Sequence, residues 1–232
     1  MDASHFDKRR YPVVDAATGY GEWAVSYEDT VATGLDRPLL ARIGSIDWTS
    51  AGPAADLACG TGRTGEWLAA RGVAQIDGID ITPAMQAKAR AKGVYRSLHI
   101  ADVAATPLAA GAYRLCTMAL ADEHLATLAP VYREAARLLC PGGAFLLIGY
   151  HPFFLMNGMP THYHRENGEA VTIESHVHLF SEHFKAGRAA GLRLDEMQEC
   201  VIDEAWLATK PKWRPYLHWP VSFALVWRAP AP

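Results

Sequence analysis

The sequence predicts an α/β protein built around a mostly parallel sheet. Apolar runs of strand length alternate with amphipathic runs of helix length through most of the chain, the order that parallel sheets produce. A glycine-rich turn, Gly60-Thr61-Gly62-Arg63-Thr64-Gly65, joins the first such strand to the first such helix. The chain has 232 residues, 50% of them hydrophobic, enough to bury a sizeable core in one domain.

Taken in order, Ala54–Cys59 reads as a strand apolar on both faces, as a sheet covered on both sides requires. Gly65–Arg71 reads as a helix with Trp67 and Leu68 facing inward, and Gln75–Asp80 as the second strand. Thr82 is the expected N-cap of a helix that begins at Pro83, where proline's missing N–H costs nothing, and closes at Gly93. Tyr95–Ile100 and Tyr113–Leu120 are the third and fourth strands. A helical spacing over Leu125–Cys140 stops at Pro141-Gly142-Gly143, and Ala144–Tyr150 is the fifth strand. Residues 151–169 read as loop, Ser181 as the cap of a helix to Ala190, and Leu192–Ile202 and Val221–Arg228 as the last strands. Residues 1–45 look largely helical from Glu22 onward. The irregular segments 151–169 and 203–219 are candidate substrate covers.

Composition excludes several classes. The 22 basic and 25 acidic side chains give a net charge of −3, with no footprint for nucleic acid. Cys59, Cys116, Cys140 and Cys200 form no Cys-x-x-Cys pair, which argues against a zinc or disulfide framework. The N-terminus opens polar and no apolar run approaches the ~20 residues of a membrane helix. The expectation is a cytoplasmic monomer or homodimer with neither nucleic-acid nor membrane partners.

The glycine turn alone suits either of two adenosine-bearing cofactors. Asp80 ends the second strand, 20 positions beyond Gly60, and a carboxylate there accepts from ribose hydroxyls, which fits a nicotinamide dinucleotide equally well. Two further acids separate the cases. Asp56 precedes the turn by four residues; a pyrophosphate wants amides and no nearby anion, whereas the cationic tail of S-adenosylmethionine suits a carboxylate. Asp102 follows the third strand, placed to accept from an adenine amino group with Val103 beside the ring.

Asp56-Leu57-Ala58-Cys59-Gly60-Thr61-Gly62 closely resembles the first motif of class I S-adenosylmethionine-dependent methyltransferases of the small-molecule type. Gly78-Ile79-Asp80-Ile81-Thr82-Pro83-Ala84-Met85 is similar to the ribose-binding segment, Glu134–Gly143 to the usual entry to the fifth strand, and Trp23–Glu28 to an N-terminal lid helix. The resemblance covers about residues 20–150. It implies a Rossmann-like seven-stranded sheet ordered 3-2-1-4-5-7-6, its last strand antiparallel, with helices on both faces and a helical N-terminal lid. The implied parts are 1–50 (lid), 51–150 (cofactor core) and 151–232 (substrate side). Tyr27, Asp56, Ala58, Gly60, Gly62, Asp80, Ile81, Met85, Asp102, Val103 and Ala119 are the implied cofactor residues. The implied activity is methyl transfer to a small organic acceptor; the alternatives are RNA or protein methylation, or cofactor binding without turnover.

Methyl transfer needs alignment more than proton chemistry, so candidate catalytic groups follow from position. His124 follows the fourth strand and His151 the fifth; either is a candidate base or acceptor clamp, or merely a loop anchor. Arg63 has two readings, a contact to the cofactor carboxylate and a solvent-facing side chain. Val171–Leu179 alternates as a strand would, which sets Glu174, His176 and His178 on one face with His162 and His164 near. Such a face suits a polar pocket, a solvated surface or a metal; no metal is expected. Phe153, Phe154, Leu155, Met156, Met159 and Tyr163 suit the wall of an organic pocket or the packing of an insertion. Trp206, Trp213, Tyr216 and Trp219 among Lys210, Lys212 and Arg214 have the composition of a nucleic-acid platform, which the net negative chain disfavours.

Overall fold

The computed structural model describes residues 1–31 and 34–231. In chain order the elements are β1 (Val13–Val14), α1 (Ala16–Trp23), α2 (Tyr27–Thr30), α3 (Arg37–Arg42), β2 (Ala54–Leu57), α4 (Arg63–Ala70), β3 (Ile76–Asp80), α5 (Pro83–Ala91), β4 (Tyr95–Ile100), β5 (Tyr113–Ala119), α6 (Ala129–Leu138), β6 (Leu139–Tyr150), α7 (Pro152–Met156), β7 (His162–His164), β8 (Ala170–Ile173), α8 (Phe180–Ala189), β9 (Arg193–Val201), α9 (Glu204–Thr209) and β10 (Pro220–Arg228).

The large sheet runs β4-β3-β2-β5-β6-β10-β9. Counted within this sheet alone, that is 3-2-1-4-5-7-6. The pairs through β6 are parallel, while β10 lies antiparallel to both β6 and β9. Period-two alternation along β6 explains the two-sided core. Leu146 and Ile148 face a cluster with Leu39, Leu40, Trp67 and Leu68. Phe145 and Leu147 face the opposite cluster with Tyr132, Leu138, Phe223 and Trp227. The helices α3 and α4 therefore cover one face, and α6, with Val131, Tyr132, Ala135 and Leu138 buried, covers the other.

A second sheet, ordered β1-β8-β7, was not expected. Val13 and Val14 pair in parallel with Thr172 and Ile173, and β7 closes antiparallel on β8. The N-terminal segment is thereby joined to the 160–173 segment across the top of the main sheet.

Several boundaries differ from the sequence expectation for identifiable reasons. The helix expected over Leu125–Cys140 ends at Leu138, and β6 already begins at Leu139. Register jumps from Tyr113↔Leu139 to Leu115↔Ala144, so Pro141-Gly142-Gly143 bulges out of a strand instead of ending a helix. Ser181 is not the cap of α8: the helix starts at Phe180 with Leu179 at the N-cap, and the Glu182 carboxylate accepts from the Leu179 N–H at 2.8 Å. The N-terminal helix starts earlier than Glu22, because Asp15 accepts from the Thr18 N–H and caps α1. The 151–169 segment holds α7 and β7, and 203–219 holds α9 and a 3-10 turn over Pro211–Tyr216. The strand expected over Val171–Leu179 ends at Ile173, since the His176 and Val177 N–H groups turn to the Glu123 and Met1 carbonyls.

Candidate active site

Parallel strands deliver their C-terminal ends to one edge of the sheet, and the loops leaving β2, β3, β4 and β5 enclose a cavity of about 280 Å³. Tyr27, Ala58, Gly60, Asp80, Ile81, Met85, Asp102, Val103 and Ala119 all line it, as does His124. Sequence reasoning missed Ala16, Tyr20, Thr82, Leu120, Ala121 and Leu125. Tyr20 was missed with the start of α1; the spacing of Tyr20, Trp23 and Tyr27 was the signal available.

Asp80 is the best-defined polar group of the cavity. It is 7% exposed, and its two oxygens accept from the Thr82 N–H at 2.8 Å and the Gly60 N–H at 2.7 Å. Burial raises its carboxyl above the ordinary value, although both amide bonds pull the other way. No cation pairs with it among the described residues. A carboxylate held by amides and lacking a countercharge keeps lone pairs for neutral hydroxyl donors. Asp102 lies at the exposed rim, one oxygen accepting from the Ala104 N–H. Between the two acids the wall is apolar: Ile81, Met85, Val103 and Leu125. At Gly60, with φ of +54°, a Cβ would point into open space, so a ligand can approach the backbone there.

Two implied cofactor residues stand elsewhere. Asp56 is 1% exposed and lies off the cavity wall. Its oxygens accept from the Tyr95 hydroxyl at 2.7 Å and the Thr117 hydroxyl at 2.8 Å. Burial pushes its carboxyl up to about 6, against those two hydrogen bonds. It braces the strand beneath the turn. Gly62 has φ of +85° and is the N-cap of α4; a Cβ there would crowd Tyr95 and Ala89. A Cβ on Gly65 would overlap the same tyrosine ring. The later glycines of the turn thus admit Tyr95 beneath it, while Gly60 faces the cavity. Arg63 takes neither of its expected roles: it is 8% exposed and grips both oxygens of Asp36 at 3.2 Å.

The candidate histidines part company. At His124, Nδ1–H donates to the Glu174 carbonyl at 2.7 Å, and Nε2 meets the Tyr20 hydroxyl at 3.0 Å and Glu123 at 3.2 Å. Burial opposes its charging, but the hydrogen bond and charge of Glu123 prevail and hold the imidazole above the usual histidine value. His151 is a correction. Its Nδ1 accepts from the Phe153 N–H at 3.1 Å, which caps α7, and Nε2 reaches Glu199 at 2.9 Å. It lies off both cavities described here, its imidazole being spent on capping the helix that follows β6. Glu174, His176 and His178 do not share a strand face. His178 contacts the Leu125 carbonyl, and among the described residues no cluster is arranged to hold a metal.

A second cavity, about 410 Å³, opens behind an aromatic stack. Trp23 is sandwiched between Tyr20, at 5.9 Å, and Tyr163, at 5.8 Å. Tyr20 faces the first cavity, and Trp23 and Tyr163 face the second. Phe154 and Met159 also line it, as their composition suggested, whereas Phe153 is 39% exposed. Trp213 stacks on Phe154 at 5.5 Å and packs on Trp206 at 5.3 Å. These tryptophans are therefore packed into one another and do not form an open platform.

Sheet order, glycine turn and acid-flanked cavity are those that the resemblance to class I S-adenosylmethionine-dependent methyltransferases implies. Residues 55–147 match the family model described as a methyltransferase domain. Among curated proteins it is similar to methyltransferase-like protein 27 of Homo sapiens, 34% identical over 38% of this chain and 38% of that protein. It is also similar to the demethylmenaquinone methyltransferase of Thermus thermophilus, 34% identical over 42% of this chain and 46% of that one. The chain thus matches less than half the length of these curated relatives. A solved S-adenosylmethionine-dependent methyltransferase from Mesorhizobium loti shares the fold at 20% identity, with a TM-score of 0.68 over 86% of this chain and 99% of that one.

Proposed function

We propose that the chain transfers a methyl group from S-adenosylmethionine to a small organic acceptor. The observation that carries this reading is the cavity with amide-held Asp80 at one end, Asp102 at its rim and an apolar slot between them. These residues fit an adenosyl group. The open lone pairs of Asp80 take the ribose hydroxyls, Asp102 the adenine amino edge, and Ile81, Met85 and Val103 the faces of the ring. Ala58, Gly60 and Ala119 leave backbone room for the remainder, and Tyr20 and Tyr27 close over it. Bound there, the group supplies an activated methyl on a cationic sulfur.

The protein's own task is then alignment and exclusion of water. Tyr20 is the polar group at the aromatic partition, and His124 holds its hydroxyl. An acceptor that loses a proton can pass it to that Tyr20–His124–Glu123 chain. The second cavity lies across the partition, and its size suits a metabolite. The named activity of the Thermus relative, on demethylmenaquinone, points the same way. The segments flanking the core, 1–50 and 151–179, serve as cover. A cytoplasmic monomer or homodimer, without nucleic-acid or membrane partners, fits the net charge of −3 and the lack of any described helix able to cross a membrane.

Calorimetric titration with S-adenosylhomocysteine tests the cofactor half. Asp80→Ala should weaken binding by about 1–3 kcal/mol, the range for hydrogen bonds to a charged group. Wild-type affinity in a folded Asp80→Ala variant would remove Asp80 from the site, and no binding by the wild type would overturn the reading.

A further inference from the structure

The second cavity differs from the first in charge. Its walls are flat and apolar, formed by Trp23, Tyr150, Phe154, Tyr163 and Trp213. Its lining includes Lys210, between α9 and the following 3-10 turn, and the exposed Lys212, within that turn. Arg214 nearby pairs with Glu204, but neither lysine has a carboxylate partner among the described residues. The one acid on the lining is Asp29, in α2. On a chain of net charge −3 this is a local reversal of sign. Also on the lining, His162 is held below the usual histidine value by burial and by Arg9. Since a guanidinium only donates, the 2.8 Å contact from Arg9 makes His162 Nδ1 the acceptor and leaves Nε2–H a donor. Arg9 itself is spent on Asp7.

Aromatic faces alone would also attract a cation, but two ammonium groups on the lining oppose one. We propose that this cavity binds a small acid with a flat apolar body, the aromatic walls taking the body and Lys210 and Lys212 the anionic group. Insofar as that acid is the methyl acceptor, the proposal rests on the transferase reading; its binding does not. Carboxylate and lysine attract through solvent, so the charge sets preference while the aromatic walls set most of the affinity.

The test compares indole-3-acetate and 2-naphthoate with their primary amides, which have nearly the same shape and no charge, by calorimetry at low salt. Both carboxylates should bind saturably and roughly fivefold tighter than their amides, the scale of a partly exposed ion pair. The preference should shrink as salt is added. In Lys210→Gln/Lys212→Gln it should vanish while S-adenosylhomocysteine binds as in the wild type, which also certifies the fold. The proposal is overturned if neither carboxylate binds, if amide and acid bind alike, or if the preference survives the double substitution. Loss of S-adenosylhomocysteine binding with acid binding intact would instead overturn the cofactor assignment.

Discussion

At Asp56 two hydroxyl donors, from Tyr95 and Thr117, reach a carboxylate that is 1% exposed. Tyr95→Phe removes one donor and leaves a buried acceptor short, which should cost about 1–3 kcal/mol of stability. Gly65→Ala drives a methyl into the same ring and should cost about 1–3 kcal/mol by overpacking. Denaturant midpoints read both, and unchanged midpoints would show that Tyr95 does not set the turn. The acid before the glycines was legible in the sequence, but its direction was not. β2 is buried on both faces, so position along it does not say which partner a polar side chain meets. Tyr95 and Thr117 reach Asp56 from other strands, β4 and β5, and no local pattern announces them. Asp80, by contrast, sits where a strand gives way to a helix, and its contacts to Gly60 and Thr82 follow from that location.

Among the elements, α7 shows how a plausible catalytic position turns out otherwise. His151 follows an apolar strand at the correct edge, yet Pro152 behind it makes a helix start, and the imidazole caps it. His151→Ala should therefore lower stability by about 1 kcal/mol, the loss of a cap, and leave S-adenosylhomocysteine affinity and turnover of a folded sample near wild type. A large fall in kcat without loss of stability would restore its catalytic reading. The strands of the main sheet and α5 were readable because burial on both faces and the Thr82-Pro83 start are local signals. The second sheet was not, because β1 is two residues long and its pairing with β8 spans more than 150 positions of sequence.

For the molecule as a whole, the pH dependence of stability should carry the mark of Asp122. Burial, aided by the charge of Glu123, pushes its carboxyl up to about 8, against about 3.9 in an unfolded chain. Between those values the unfolded state gives up a proton that the folded state keeps, so stability falls as pH rises and levels off above 8. His183, pushed down to about 3 by burial, acts oppositely and only below about 6.5. From pH 6.5 to 8 the falling slope belongs to Asp122, up to about 1 kcal/mol per pH unit, together with His124, whose raised imidazole acts in the same direction. Asp122→Asn should make it shallower in urea unfolding, and parallel profiles for the two proteins would refute the assignment.

The strand pairing of Val13–Val14 with Thr172–Ile173 bears on how such a molecule changes over generations. The portable part is the run of parallel strands with its glycine turn, which the family model matches at 55–147. The cover over the aromatic stack comes from two stretches on either side of it in sequence, and each completes a sheet with the other. Neither can be exchanged alone without stranding backbone N–H and C=O groups. In a broad sampling of descendants, residues 13–23 and 161–174 should be inherited and replaced as a pair, with co-varying positions concentrated at β1 and β8, while the glycine turn stays indifferent to which cover it wears.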